Sequence, residues 1–204
     1  QGQARYGCSL VAHMESLGLL SPRLSVAHAI WIDDDDIDRL ARAGVTAVHN
    51  PLSNLRLGSG VAAIRRMKAR GLRVALGTDG ANTSDTQNLF EAARLAAYLS
   101  RIIEPNEREW ITAGEAWEMG TTHSAHALGW GERLGRLAPG FEADLVLLDL
   151  SKPIYVPLRH AMRQLVHGEN GAAVSHVLVG GRVVICGARS SCSREFTGCA
   201  AVAN

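Results

Sequence analysis

VTAVHNPLSNLRLGSGVAAIRRMKARGLRVALGTDG, residues 45–80, is the stretch on which the fold turns. It opens with a short apolar run rich in strand formers, 45–48, which closes on His49-Asn50-Pro51. A Gly/Ser/Asn-rich segment, read as loop, leads to Gly60. Residues 61–70 then place Ile64, Met67 and Lys68 three and four apart, the spacing of a helix face, and Gly71 ends that helix. A second apolar run, 72–76, closes on Gly77-Thr78-Asp79-Gly80. Strand, helix, strand with brief connections predicts parallel pairing with the helix outside the sheet.

The same cycle extends upstream. LSVAHAIWI, residues 24–32, predicts a further strand, and the acidic run 33–36 suits the N-terminus of the helix that follows, where carboxylates cap free N–H groups. A helix is expected over 4–20, stopped by Ser21-Pro22. Downstream, helices are expected over 87–101, 107–119 and 123–128. From residue 134 the pattern changes to a turn-rich link, a strand at 143–149, and a hairpin at 174–186 turning on Gly180-Gly181. The expected organisation is an α/β barrel part over 1–133, a small β module over 134–187, and a tail over 188–204 that is poorly ordered or peripheral.

Bulk composition excludes several classes. With 204 residues, 47% of them hydrophobic, the chain can build a sizeable core. Lys plus Arg number 21 against 20 for Asp plus Glu, so the net charge of +1 offers no electrostatic case for nucleic acid or a membrane surface. No apolar run approaches the roughly 20 residues of a membrane helix. The four cysteines include no C-x-x-C pair, which predicts free thiols in a reducing compartment and a cytoplasmic location.

In sheets of parallel strands, ligands bind at the carboxyl ends of the strands. Polar residues fall there in all three units: His28, His49-Asn50 and Thr78-Asp79. Singly, each has a plainer reading. A histidine at a strand end is commonly structural, Asp79 suits a turn, and HNPLSN suits an Asn/Pro turn. Trp31, three positions after His28, is a candidate to line a substrate pocket, whereas Trp110, Trp117 and Trp130 read as packing residues. His123 and His126 share a helix face and read as supporting residues; His160, His167 and His176 read as surface residues. Gly58-Ser59-Gly60 lacks the lysine and full glycine pattern of a phosphate loop.

The joint order is more specific than its parts. VAHAIW at 26–31, HNPLSNLRLGSG at 49–60 and LGTDG at 76–80, followed by GEAWEMGTTHSAHALG at 114–129, GRLAPGFEADLVLLD at 135–149 and VLVGGRVV at 177–184, together resemble the amidohydrolase superfamily, in its branch of aminohydrolases and triazine hydrolases. The resemblance implies an α/β fold, the C-terminal part of a TIM barrel with about three of its eight strands, plus part of a small β-sandwich. It implies that His28 closes the sixth strand and hydrogen-bonds the attacking water. It implies that Asp79 closes the eighth, binds the metal and takes the proton from the metal-bound water. Asn50 and Ser53 would shape the substrate pocket.

The implied cofactor is one divalent ion, zinc or iron, since either suits a histidine-rich site with a carboxylate. The implied reaction is removal of an exocyclic amino group from a purine, pterin, pyrimidine or triazine. Triazine dechlorination and a non-catalytic structural subunit are the alternatives. The family's H-x-H pair, its fifth-strand histidine and the glutamate that follows have no counterpart here. The chain is therefore expected to need the N-terminal part of the same barrel as its partner, and alone to bind no catalytic metal and turn over nothing. A homodimer is the assembly the resemblance suggests.

Overall fold

The computed structural model describes residues 2–187 and 189–190. In chain order it runs α1 (Gly2–Tyr6), α2 (Leu10–Ser16), β1 (Ser25–Ala27), α3 (Asp34–Arg42), β2 (Thr46–His49), α4 (Pro51–Arg56), α5 (Ile64–Ala69), β3 (Arg73–Leu76), α6 (Ala81–Ser84), α7 (Leu89–Ile103), α8 (Ala113–Gly120) and α9 (Thr122–Ala127). A second part follows with β4 (Leu145–Leu148), α10 (Ala161–Gly168), β5 (Val174–Val179), β6 (Arg182–Cys186) and β7 (Arg189–Ser190).

The first sheet is parallel, in the order β1-β2-β3, with Ala47 opposite both Val26 and Val74. Its helices form because apolar residues recur at helical spacing and their ends are capped. Asp33 accepts a hydrogen bond from the Asp36 N–H at 2.9 Å and starts α3, which buries Ile37 and Leu40 completely. α5 buries Ile64 and Met67, and α8 buries Ala116 and Met119 in the same core. Burying a side chain of this size stabilises the fold by roughly 1.5–3 kcal/mol.

Several expectations are corrected. The helix expected over 4–20 is two helices, because Ser9 leaves helical geometry and caps α2 by accepting from the Ala12 N–H. Ser9 also donates to Asp36, tying α2 to α3. The helix expected over 107–119 is a 3-10 turn, Glu107–Glu109, followed by α8. Thr112 and Glu115 form a capping box that fixes where α8 begins. Arg65 and Lys68 of α5 each reach Glu115 at 3.0 Å. Burial alone would raise the Glu115 carboxyl, but Arg65, the Thr112 N–H and Lys68 outweigh it and hold the pKa at about 2. The segment read as loop after Asn50 contains α4: Pro51 sits at its first helical position, where its missing N–H is no loss.

The second sheet is antiparallel, in the order β4-β5-β6-β7. The expected hairpin is present, with Gly180 and Gly181 at φ 56° and 77°, a conformation that few other residues adopt. α10 was not foreseen. It lies within the segment assigned to the β module, yet its Val166 belongs to the core shared with α3, α5 and α8. His167, expected at the surface, is half-buried and stacks on Tyr98 of α7 at 5.3 Å. Of the expected tail, only β7 is described; the rest of that expectation lies outside the described residues. Among the described residues no helix is long and apolar enough to cross a membrane.

Candidate active site

Three strand ends build the site. Leaving β1, His28 and Ala29 adopt φ values of 68° and 47°; leaving β3, Asp79 adopts 62°. Non-glycine residues rarely occupy this left-handed region, and each instance costs of the order of 1–3 kcal/mol unless the surroundings hold it. Here the surroundings do: the His28 N–H donates to the Val48 carbonyl at 2.8 Å, and the Gly77 N–H donates to the His49 carbonyl at 3.0 Å. The sharp turns bring two side chains together over the end of the sheet. His28 Nε2 and Asp79 Oδ2 lie 3.6 Å apart, and both side chains are part-exposed.

α4, packed beside the sheet end, contacts both. Ser53 Oγ donates to Asp79 Oδ2 at 2.6 Å, and the Gly80 N–H donates to Oδ1 at 2.8 Å. These two bonds, with a smaller contribution from His28, hold the Asp79 carboxyl below its ordinary range against the opposing effect of burial. One residue further on, Asn54 Oδ1 lies 2.7 Å from His28 Nδ1.

The other expected site residues are placed differently. Ser53 is 0% exposed, and its hydroxyl braces Asp79. Asn50 is buried too and packs against Gly77; a β-carbon at Gly77 would stand 2.3 Å from Asn50 Oδ1, which explains the glycine. Trp31 is 85% exposed. It borders a separate cleft of about 490 Å³, with Leu10, Met14, Val26 and Asp33, that includes neither His28 nor Asp79. The structure therefore joins His28, Ser53 and Asp79, and does not bring Trp31 to them.

Two residues outside the expected set belong to this region. Asn54 is one; Pro51, a helix-start signal, could have placed it on α4. The other is His49, at the end of β2. It is 2% exposed, and neither ring nitrogen has a hydrogen-bond partner among the described residues. Burial first, and the nearby His28 second, push its pKa down to about 4. His49 is thus neutral in the folded chain, while the unfolded chain titrates near 6.5. The unfolded state binds the extra proton between these values, so stability is full above pH 6.5 and falls as pH drops toward 4, by about 3 kcal/mol. His123 and His167 are lowered by burial and add in the same direction. Urea unfolding at pH 7 and pH 4 should show that loss, and His49→Leu should make it markedly shallower. An unchanged pH dependence in His49→Leu would disprove the assignment.

His123, read as a supporting residue, is one. Its Nδ1 lies 2.8 Å from the Val74 carbonyl and anchors α9 to β3. Among the described residues no group of three or more His, Cys, Asp or Glu side chains could hold a metal ion. Asp79 offers one anionic oxygen ligand with an imidazole beside it, which fits one side of a divalent-ion site and not a whole one.

A curated relative, the 5-methylthioadenosine/S-adenosylhomocysteine deaminase of Desulforudis audaxviator, is 40% identical over 93% of this chain and 44% of its own length. A crystal structure of an adenosine deaminase from Xanthomonas campestris with bound zinc superposes with a TM-score of 0.89 at 31% identity, covering 93% of this chain and 43% of that one. An atrazine chlorohydrolase from Arthrobacter aurescens, complexed with zinc, gives a TM-score of 0.88 at 32% identity, covering 94% and 42%. The chain thus spans somewhat under half the length of the relatives it matches. The parallel sheet is part of a TIM barrel of that kind. The model of the amidohydrolase family matches residues 2–184, and the chain belongs to that family.

Proposed function

We propose that this chain supplies the carboxylate and imidazole of a metal-dependent deaminase, which replaces an exocyclic amino group on a nitrogen heterocycle by oxygen. The observation that carries the reading is the 3.6 Å approach of His28 Nε2 to Asp79 Oδ2 at the carboxyl ends of parallel strands. Asp79 would hold one face of a divalent ion such as zinc, which when bound lowers the pKa of water from 15.7 to about 7.

The chain's own residues do the rest. Asp79 Oδ2 accepts a proton from the attacking water and returns it to the departing amine, so that ammonia leaves and the ring keeps the oxygen. Its pKa, held low by Ser53 and Gly80, keeps it ionised and ready to accept. His28 Nε2 orients the water, and Ser53 keeps the carboxylate from rotating away. The remaining ligands and the substrate-selecting loops would come from the remainder of the barrel in the complete protein. Cys8, a free thiol among the described residues, supports a reducing, cytoplasmic setting. A homodimer is the assembly we expect by family likeness.

The relative at 40% identity favours an adenosine-type substrate. The similar TM-scores of the two zinc-bound structures keep displacement of chloride from a triazine as a second reading. Ammonia release from 5′-methylthioadenosine, S-adenosylhomocysteine and adenosine, beside chloride release from atrazine, tests this with the complete protein containing these residues. We expect ammonia from at least one nucleoside. Chloride release alone would transfer the assignment to the triazine reading, and neither product with zinc bound would refute catalysis.

A further inference from the structure

Ser53 and Asn54 are consecutive residues of α4, and each braces a different member of the pair: Ser53 bonds Asp79, and Asn54 bonds His28. Asn54 is 1% exposed, so no water competes for its amide. Building on the proposed role of the pair, we infer that Asn54 is a positioning residue that sets the tautomer of His28. Nδ1 carries the ring proton and donates it to Asn54 Oδ1, leaving the Nε2 lone pair directed toward Asp79 and the reacting water.

Two arrangements are chemically open to a neutral imidazole beside an amide. In one, Asn54 Oδ1 accepts from Nδ1–H and Nε2 is bare. In the other, the amide NH₂ donates to a bare Nδ1, and Nε2 carries the proton. The second would aim an N–H at an anionic oxygen, and such charge-assisted contacts close to about 2.7–2.9 Å. The observed separation of 3.6 Å is too long for that bond. Asp79 is already served by Ser53 and Gly80 and needs no donor from His28. The gap is thus what two acceptors leave between them, with space for a donor such as water.

The choice of asparagine has a chemical consequence. A histidine that donates to a carboxylate becomes more basic, as in many metal sites. An amide carbonyl fixes the same tautomer and orientation without adding negative charge. His28 is therefore kept as an oriented acceptor, and Asp79 alone handles the proton. The buried Asn54 Nδ2, without a hydrogen-bond partner among the described residues, fits a side chain positioned for one bond rather than for full satisfaction.

The test needs neither metal nor substrate. The complete protein containing these residues, metal-free and with ¹⁵N in its histidine rings, is examined at pH 8 by long-range ¹H–¹⁵N correlation, which separates protonated from bare ring nitrogens. His28 is assigned by the signals lost in His28→Gln. We expect a protonated Nδ1 and a bare Nε2. Asn54→Leu should lose that pattern in favour of Nε2–H, and Asn54→Asp, which retains an acceptor, should restore it. A protonated Nε2 in the unaltered protein, or the same pattern in Asn54→Leu, overturns the inference. Should Asn54→Leu fail to fold, the unaltered protein decides alone. An Nε2–H result would remove the role of Asn54 and leave deamination standing; absent turnover in the complete protein, with Nδ1–H intact, would do the reverse.

Discussion

Asp79→Asn should lower turnover of the complete protein by about a thousandfold, within the range expected when a positioned proton acceptor is lost, while the fold stays intact. Asparagine is the informative replacement because Asp79 sits at φ 62°, a conformation that asparagine tolerates and alanine resists. Its Oδ1 can still accept from the Gly80 N–H, and the Ser53 hydroxyl can turn to accept from the new amide. Geometry is thus preserved, and what disappears is the charge and the ability to take a proton. Asp79→Ala would mix that loss with backbone strain. Ammonia release measured beside circular dichroism and bound zinc separates the two effects. Retention of more than a tenth of wild-type turnover would be incompatible with the proposed role.

Glu169→Ala should destabilise the chain by about 3–5 kcal/mol, the scale seen when one partner of a buried charged network is removed. That is a large share of the roughly 5–15 kcal/mol that holds a domain folded. Glu169 follows α10 and is 1% exposed. It accepts from the Tyr155 hydroxyl at 2.6 Å and from the backbone N–H groups of Asn170, Gly171 and Ala173 at 3.0, 2.7 and 3.2 Å. Burial would raise its carboxyl, but these four donors outweigh it and the pKa is lowered. Burial and Glu169 together raise the Tyr155 phenol. Its contribution is accordingly complete above the unfolded pKa of 4.5 and is lost as pH falls through the lower folded value. Alanine leaves all four donors without that acceptor, and two of them, the Tyr155 hydroxyl and the Ala173 N–H, are buried. Glu169→Gln keeps one acceptor oxygen and should lose less. Urea unfolding at pH 7 gives the comparison, and an alanine variant within about 1 kcal/mol of wild type would show that the network contributes little.

The strand ends were legible because chemistry and punctuation coincide there. His28 and Asp79 each follow an apolar run, so the strand that positions them and the residue that acts are read together. Asn54 and His49 were harder. Asn54 lies five residues past its strand, in a stretch dense in Asn, Ser and Gly, and loop composition concealed the helix that Pro51 starts. His49 was visible as a polar residue at a strand end, but whether such a residue points into the site or into the core is decided by packing from α9 and the neighbouring strands. The burial of Ser53 and Asn50 follows from the same packing and cannot be read from their polar composition. α10 is short, and its apolar face is recognisable only against the α7 and α8 surfaces it covers.

The adjacency of Ser53 and Asn54 sets how this protein can change its length. Each residue of an α-helix advances the next by about 100°, so a single codon deleted or duplicated between Pro51 and Ser53 would swing both braces off their targets at once. Point substitutions at either position remove one brace and leave the other. Length variation should therefore collect after the helix, in the 57–63 connection, while the three residues from Pro51 to Ser53 keep their phase.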